Sequence, residues 1–333
     1  MAEFISTFIT GFQDVVAKNL AENLSGCKIL GIFDGLVHYS YSGDSRNLGK
    51  IVYLSNTFFV LKTVRGKGAG IPALVAAVAS EKKYYLINKG TFRVRFVQEN
   101  QFVRVDKSLA RRAEETVLAN SRLRIDRVSP DTEIWYSVRR EGFAFCGQLI
   151  FRREFTEKNL SKGELRPEIA SLLCCFADIN ADDVIYDPFC GFGSIPVQIA
   201  KGFRFKRLLA SDIDSAKVEL VSSKKPLAAN ACAEIFVQDA LCMERVDSKS
   251  VDAIITDPPW GFYEDIGDMN VFYGRMFASF ARILKSGGRT VILSARTQEL
   301  EKSAASEGFM IERSLRTLVN GKKASVYLCR YIG

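Results

Sequence analysis

Hydrophobic and polar positions change their period along the chain, and each change predicts an element. Within residues 4–24, Phe12, Val16 and Leu20 recur every four positions and Val15 widens the stripe, so a helix is expected. Strand-like runs follow at Lys28–Phe33, Leu36–Tyr41 and Ile51–Leu54, with a turn at residues 42–45. Thr91–Val97 alternates apolar with basic residues, which predicts a half-buried strand with Arg93 and Arg95 on its open face. A helix over Lys107–Asn120, capped by Asp106, would face inward through Leu109, Ala113 and Val117. Lys107 and Arg111 lie one turn apart on another face of that helix, with Arg112 beside them. Strands at Thr132–Val138 and Phe143–Phe151 complete this half.

From residue 166 the pattern becomes strand–helix alternation. Strands read at Val184–Tyr186, Arg207–Ser211, Ala233–Val237, Val251–Ile255 and Arg289–Leu293, with helices between them. Alternation of this kind predicts an α/β fold, a parallel sheet with helices on both faces. Ser314–Tyr331 contains Asn320-Gly321, a tight-hairpin signal, so an antiparallel pair should close one side of the sheet. The polar stretch 154–165 reads as the principal boundary between the two halves.

Composition narrows the class. The chain has 333 residues, 47% hydrophobic and 25% charged, as expected of a globular protein of two or three domains. No apolar run approaches the ~18 residues of a membrane span. The N-terminus lacks the basic and apolar regions of a signal peptide, so a reducing cytoplasm and no membrane are expected. Eight cysteines without a C-x-x-C pair do not support a zinc ribbon or dithiol site, and most should be buried. His38 is the single histidine and reads as a strand residue, which excludes chemistry needing two histidines; no metal is expected. The net charge of +8 is uneven: residues 1–165 hold 25 basic and 17 acidic side chains, and residues 166–333 hold 21 of each. A basic half beside a neutral half points to a polyanionic partner for the first.

Candidate chemistry lies in the second half, where four successive strands run into acidic turns. The first turn is DPFCGFGSIP, Asp187–Pro196, in which Gly191 and Gly193 allow a sharp bend and close approach of a ligand. It lacks the Gly-Lys-Ser/Thr of a P-loop and the third glycine of a dinucleotide fingerprint. Nothing basic lies within it, and Asp187 suits a cationic amino group. Asp212, about twenty residues on, can accept both hydroxyls of a ribose. Asp239 can accept from an adenine amine, with room for the ring at Ala240. These residues describe a site for a nucleoside with a cationic tail, and S-adenosylmethionine is such a molecule. The fourth turn, DPPWG at Asp257–Gly261, offers the Asp257 carboxylate and the Pro258 carbonyl to the two N–H groups of a base amine, while Trp260 can stack on the base.

In this order the motifs LRPEIA (Leu165–Ala170), DPFCGFGSIP, SDID (Ser211–Asp214), QDA (Gln238–Ala240) and DPPWG resemble those of the THUMP-containing class I S-adenosylmethionine-dependent RNA guanine-N2 methyltransferases. The resemblance implies a Rossmann-like catalytic domain over 166–333, with a mostly parallel seven-stranded sheet and an antiparallel terminal hairpin. Before it would come a ferredoxin-like domain (1–65), a THUMP RNA-binding domain (66–153) and a linker (154–165). Asp187, Phe189, Gly191 and Gly193 would shape the cofactor turn. Asp212 with Ile213 would take the ribose, Asp239 with Ala240 the adenine, and Arg166 would flank the cofactor. Asp257, Pro258 and Trp260 would hold the target base. The THUMP-like half would grip the 3′ end of tRNA and present the acceptor stem, with Lys107, Arg111 and Arg112 as RNA contacts. Phe192 and Ser194 depart from the Ser and Thr of the common motif. The expected activity is methylation of a tRNA guanosine at N2. Guanine-N2 methylation of ribosomal RNA, adenine-N6 methylation, a non-catalytic RNA-binding protein and, more distantly, a nicotinamide oxidoreductase remain open from the residues.

Overall fold

A computed structural model describes residues 1–66, 68–153, 160–161, 163–262 and 266–333. Most of the segment 154–165, expected as a linker, therefore lies outside the described residues. The chain forms two units, Met1–Phe8 with Leu20–Glu154, and Ile9–Asn19 with Phe155–Gly333.

The first unit is built on a nine-stranded sheet. Its strands are β1 (Ala2–Thr7), β2 (Cys27–Phe33), β3 (Leu36–Tyr41), β4 (Asn56–Arg65), β5 (Thr91–Gln98), β6 (Gln101–Phe102), β7 (Arg124–Ile125), β8 (Thr132–Val138) and β9 (Phe143–Arg152). The order is β2-β3-β1-β4-β9-β8-β5-β6, with β7 beside β5. Helix α1 (Gln13–Asn23) spans the division between the units, whereas α2 (Ile71–Ala79) and α3 (Lys107–Asn120) belong to the first. The helix expected within residues 4–24 is thus a strand followed by a shorter helix. Phe4 and Ile5 pair into the sheet with Tyr39 and His38, and β1 lies between β3 and β4, so sheet hydrogen bonding overrides the local pattern. Ile51–Leu54 is a turn after the 3-10 helix Ser45–Lys50, and the strand begins at Asn56. Strand β4 runs to Arg65 and pairs with β9, from Asn56 opposite Arg152 to Arg65 opposite Phe143. Helix α3 has the predicted bounds, and Asp106 caps it by accepting the Ser108 N–H at 2.8 Å. Ala113 and Val117 are fully buried, packed with Leu74 and Val75 of α2 and Phe92 of β5. His38 is buried in β3, and its Nε2 lies 2.8 Å from Glu3 Oε2.

Arg93 and Arg95 do not stand free on an open face. Glu133, 4% exposed, gathers them. Its carboxylate accepts from Arg93 Nε at 2.6 Å, Arg152 Nη2 at 2.6 Å and the Trp135 indole N–H at 2.7 Å, with Arg95 Nε 3.5 Å away. Charged groups half-withdrawn from water need such partners.

In the second unit, β10 (Val184–Asp187), β11 (Arg207–Asp212), β12 (Ala233–Val237), β13 (Val251–Thr256), β14 (Leu284–Ser294), β15 (Phe309–Val319) and β16 (Lys322–Tyr331) form a seven-stranded sheet in the order β12-β11-β10-β13-β14-β16-β15. The first five are mutually parallel, and β16 pairs antiparallel with both β14 and β15. Helices α4 (Pro167–Phe176), α5 (Ser194–Gly202), α6 (Ser215–Ser222), α7 (Lys225–Ala228), α8 (Met269–Ile283) and α9 (Thr297–Ser306) connect or flank the strands. Tyr186, Ile254 and Ile292 join a core with Tyr273 and Phe277 of α8 and Leu300 of α9. Their neighbours Ile185, Ile255 and Val291 point to the opposite face and are equally buried, so the sheet is covered on both sides. Asn320 and Gly321, at φ 50° and 76°, make the expected tight turn. Segment Ile9–Asn19 belongs to this unit: the Thr317 hydroxyl donates to the Thr10 carbonyl at 2.8 Å, and Lys18 pairs with Asp178 at 2.6 Å.

Candidate active site

The strand order of the second unit reverses at β10, with β11 on one side and β13 on the other. At such a point the loops leaving adjacent parallel strands diverge and open a crevice at the carboxyl edge. All four sequence-predicted turns leave that edge: 187–193 after β10, 212–214 after β11, 238–240 after β12 and 257–261 after β13.

The first two turns are tied together. Gly191 and Gly193 have φ of 50° and 77°, and Gly193 caps α5 in the left-handed conformation. A Cβ at Gly193 would come within 2.9 Å of Val221, so glycine is required there by both φ and space. Asp212 Oδ2 accepts the Gly191 N–H at 2.9 Å, and its Oδ1 accepts the Asp214 N–H at 3.0 Å. Each oxygen keeps a further lone pair for a ligand. Next to it Ile213 is 72% exposed, an apolar side chain left bare at the carboxyl edge of the sheet. In the third turn Ala240 is buried and half-buried Asp239 accepts the Leu241 N–H at 2.8 Å. Phe189 is half-buried against Phe272.

Two carboxyls lie deeper. Asp187 is 1% exposed and accepts the Thr256 hydroxyl at 2.8 Å and the Phe189 N–H at 3.3 Å. Burial pushes its pKa up to about 7, against those hydrogen bonds. Asp257 is pushed up to about 8, first by burial and then by the neighbouring charge of Asp187. Its Oδ1 is buried without a hydrogen-bond partner. An unmet buried acceptor costs roughly 1–3 kcal/mol, so a position that retains one is prepared for a donor. The same holds at the start of α4, where Arg166 Nη2 donates to Glu168 Oε1 at 3.1 Å while Arg166 Nε and Glu168 Oε2 are buried and unpartnered. The acceptors at Asp257 and Glu168, together with the acids at the strand ends, fit a cationic nucleoside rich in donors. The Cys190 thiol is buried and its pKa raised, first by burial, which disfavours a thiolate nucleophile.

Trp260 is half-buried, not the exposed platform that the turn suggests. Its indole N–H donates to the Leu293 carbonyl at 3.3 Å, and its own carbonyl accepts Arg296 Nε at 2.9 Å. Among the described residues here, Phe262 is an exposed aromatic.

Residues 153–323 match the model of the UPF0020 family, described as the RMKL-like methyltransferase domain. The chain belongs to this family. Over 98% of its length, and 99% of theirs, it is 23% identical to the tRNA (guanine(6)-N2)-methyltransferase of Methanocaldococcus jannaschii. It is also 23% identical to the enzyme of the same name from Archaeoglobus fulgidus, covering 92% of this chain and 87% of that one. The crystal structure of TrmN from Thermus thermophilus has the same fold, with a TM-score of 0.80 over the whole of both chains at 20% identity. The methyltransferase family inferred from the ordered motifs is therefore borne out, as is the Rossmann-like fold.

In this methyltransferase domain the predicted cofactor and base residues of the four turns lie at one sheet edge, while Arg166 stands at the N-terminus of α4. Lys107, Arg111 and Arg112 form a separate set on α3 in the first unit. All three are exposed, and Arg111 pairs with Glu115 at 2.8 Å. Sequence reasoning missed Thr256, Glu168, Arg296 and Phe262. Thr256 and Glu168 adjoin motifs that were recognised, so adjacency was the available signal. Arg296 lies 36 positions from the carbonyl it holds and carries no local signal.

Proposed function

We propose that this protein is a tRNA methyltransferase that moves a methyl group from S-adenosylmethionine to the exocyclic N2 of a guanosine in or near the acceptor stem. The observation that carries the reading is the buried, unpartnered Oδ1 of Asp257 in a turn stiffened by Pro258 and Pro259. A guanine amine is a poor nucleophile because its lone pair is delocalised into the ring. Asp257 Oδ1 accepting one N–H and the Pro258 carbonyl accepting the other would hold nitrogen pyramidal and turn the lone pair toward the methyl. When bound, the cofactor supplies an electrophilic methyl on a sulfonium. Asp187, Asp212, Asp239 and Arg166 would hold its polar groups, with Phe189, Ile213 and Ala240 against its apolar surfaces and Gly191 and Gly193 giving close backbone approach. As the nitrogen–carbon bond forms and the carbon–sulfur bond breaks, the amine loses one proton, for which Asp257 Oδ1 is the nearest designated acceptor. Rate enhancement would come mainly from holding the two reactants in line and away from water.

The names of the full-length archaeal relatives support tRNA and guanine N2 over adenine N6. The basic first half supports a structured RNA, with residues 1–65 as a ferredoxin-like region, 66–153 as a THUMP region that takes the tRNA 3′ end, and Lys107, Arg111 and Arg112 among its contacts. The protein would act in the cytoplasm. Incubation with methyl-labelled S-adenosylmethionine and unmodified tRNA, followed by nucleoside analysis, should yield labelled N2-methylguanosine. Label only in N6-methyladenosine, or none on any tRNA, would overturn the reading.

A further inference from the structure

The chain passes through Gly261, at φ 70°, directly from the catalytic turn to Phe262. That ring is 44% exposed and lies edge-on to Trp260, centroids 6.2 Å apart. Cations from two other elements meet it. The Arg296 guanidinium carbon, at the start of α9, lies 5.0 Å from the ring centroid. Lys322 Nζ, at the first position of β16 after the hairpin turn, lies 4.1 Å from it. Arg296 also donates to the Trp260 carbonyl at 2.9 Å and has Glu299 Oε1 3.9 Å from its Nη1. A scattered exposed aromatic needs no explanation, but one that lies against two long basic side chains at the rim of a catalytic turn does.

A guanine N2 in a paired stem is reached only after the nucleotide leaves the stack, because Asp257 Oδ1 is buried below the surface. Extrusion brings the phosphates flanking that nucleotide to the rim. Their charge must be met there, and side chains already ordered on a ring lose less entropy on meeting it.

We propose that Phe262, Arg296 and Lys322 form a phosphate clamp for the RNA backbone next to the extruded guanosine, with Phe262 as a shared platform for the two cations. The inference rests on the functional reading above. Arg296 would also act as a positioning residue, since it braces the Trp260 carbonyl. Lys322 and Phe262 are therefore the informative positions.

The test is steady-state methylation of an unmodified tRNA by the full-length wild type, Lys322→Ala, Phe262→Ala and Phe262→Tyr over a range of salt, with cofactor affinity measured separately by calorimetry. Loss of one charge-assisted contact should raise KM for tRNA about tenfold in Lys322→Ala, with kcat within about twofold. The slope of log kcat/KM against log salt should become shallower by roughly one. Phe262→Ala should reproduce most of the KM effect, Phe262→Tyr should restore wild-type values, and cofactor affinity should not change in any variant. An unchanged KM and salt slope in Lys322→Ala beside an active wild type would overturn the clamp alone, as would a loss confined to cofactor affinity. A wild type inactive on every tRNA would overturn the functional reading, and the clamp with it.

Discussion

Glu133 in the first unit and the two deep aspartates at the sheet edge of the second are all withdrawn from water, and they are treated in opposite ways. In the first unit Glu133 is met by Arg93, Arg95, Arg152 and the Trp135 indole. Burial pushes its pKa up, but the hydrogen bonds from Trp135, Arg93 and Arg152 outweigh it, and the group ends below its ordinary value. In the second unit Asp187 is buried and Asp257 half-buried with its Oδ1 out of reach of water, no cation among the described residues offsets them, and both end far above theirs. Burial is common to all three, so burial does not mark the site. What separates them is provision of partners. Glu133 is satisfied within its own sheet, and its cluster holds β5, β8 and β9 together. Asp257 keeps one oxygen without a hydrogen-bond partner at the carboxyl edge of its sheet, where a bound donor could meet it.

The contrast can be broken by substitution. The largest effect is expected at Asp257: Asp257→Ala should lower methyl transfer by about a hundred- to a thousandfold, the scale set by removing a group that acts in the transition state. Calorimetry should find cofactor binding retained. Turnover near wild type would mean that the unmet oxygen is not the amine acceptor. Glu133→Gln should leave the chemistry intact and weaken the fold by about 2–3 kcal/mol, because three arginines lose their shared counter-charge while remaining partly buried. Urea unfolding measures this, and a midpoint unchanged from wild type would remove the structural role. The same pair differ in pH response. Glu133 has a lowered folded pKa, so its contribution is present above the unfolded value and is lost as pH falls through the folded one. Asp257 must be ionised to take up the proton that the amine loses, and its pKa is pushed up to about 8. The kcat/KM for tRNA should therefore rise more than roughly tenfold between about pH 6.5 and 8 and level off only above about pH 9. A profile flat across that range would show that Asp257 is already ionised in the free enzyme.

Legibility followed the range of the forces involved. Helix α3 was readable to its bounds because its stripe, its Asp106 cap and its polar face are all local. The terminal hairpin was readable because Asn320 and Gly321 tolerate the left-handed conformation that its turn demands. Strand β1 was not, since Phe4 and Ile5 are strand residues only through pairing with Tyr39 and His38, more than thirty positions away. Helix α2, almost wholly apolar, has no alternation to announce it. At the site, the acids were legible because each closes a strand in an alternating run. Their partners were not. Asp187 meets Thr256 across 69 positions, because β10 and β13 are neighbours in the sheet.

The sequence by itself determined the set of chemical groups: four acidic strand ends in order, two glycines where the backbone must turn, and a Pro-Pro turn carrying a carboxylate. These follow from residue type and spacing, which the chain carries without folding. Tertiary structure alone decided which groups are satisfied. It gave Glu133 its arginines, gave Asp187 a hydroxyl, left Asp257 one oxygen short, and turned Trp260 into the fold while bringing two cations to Phe262. Hydrogen bonds and cation–π contacts act over a few ångströms, and only sheet order and helix packing bring residues so far apart in the chain within that reach.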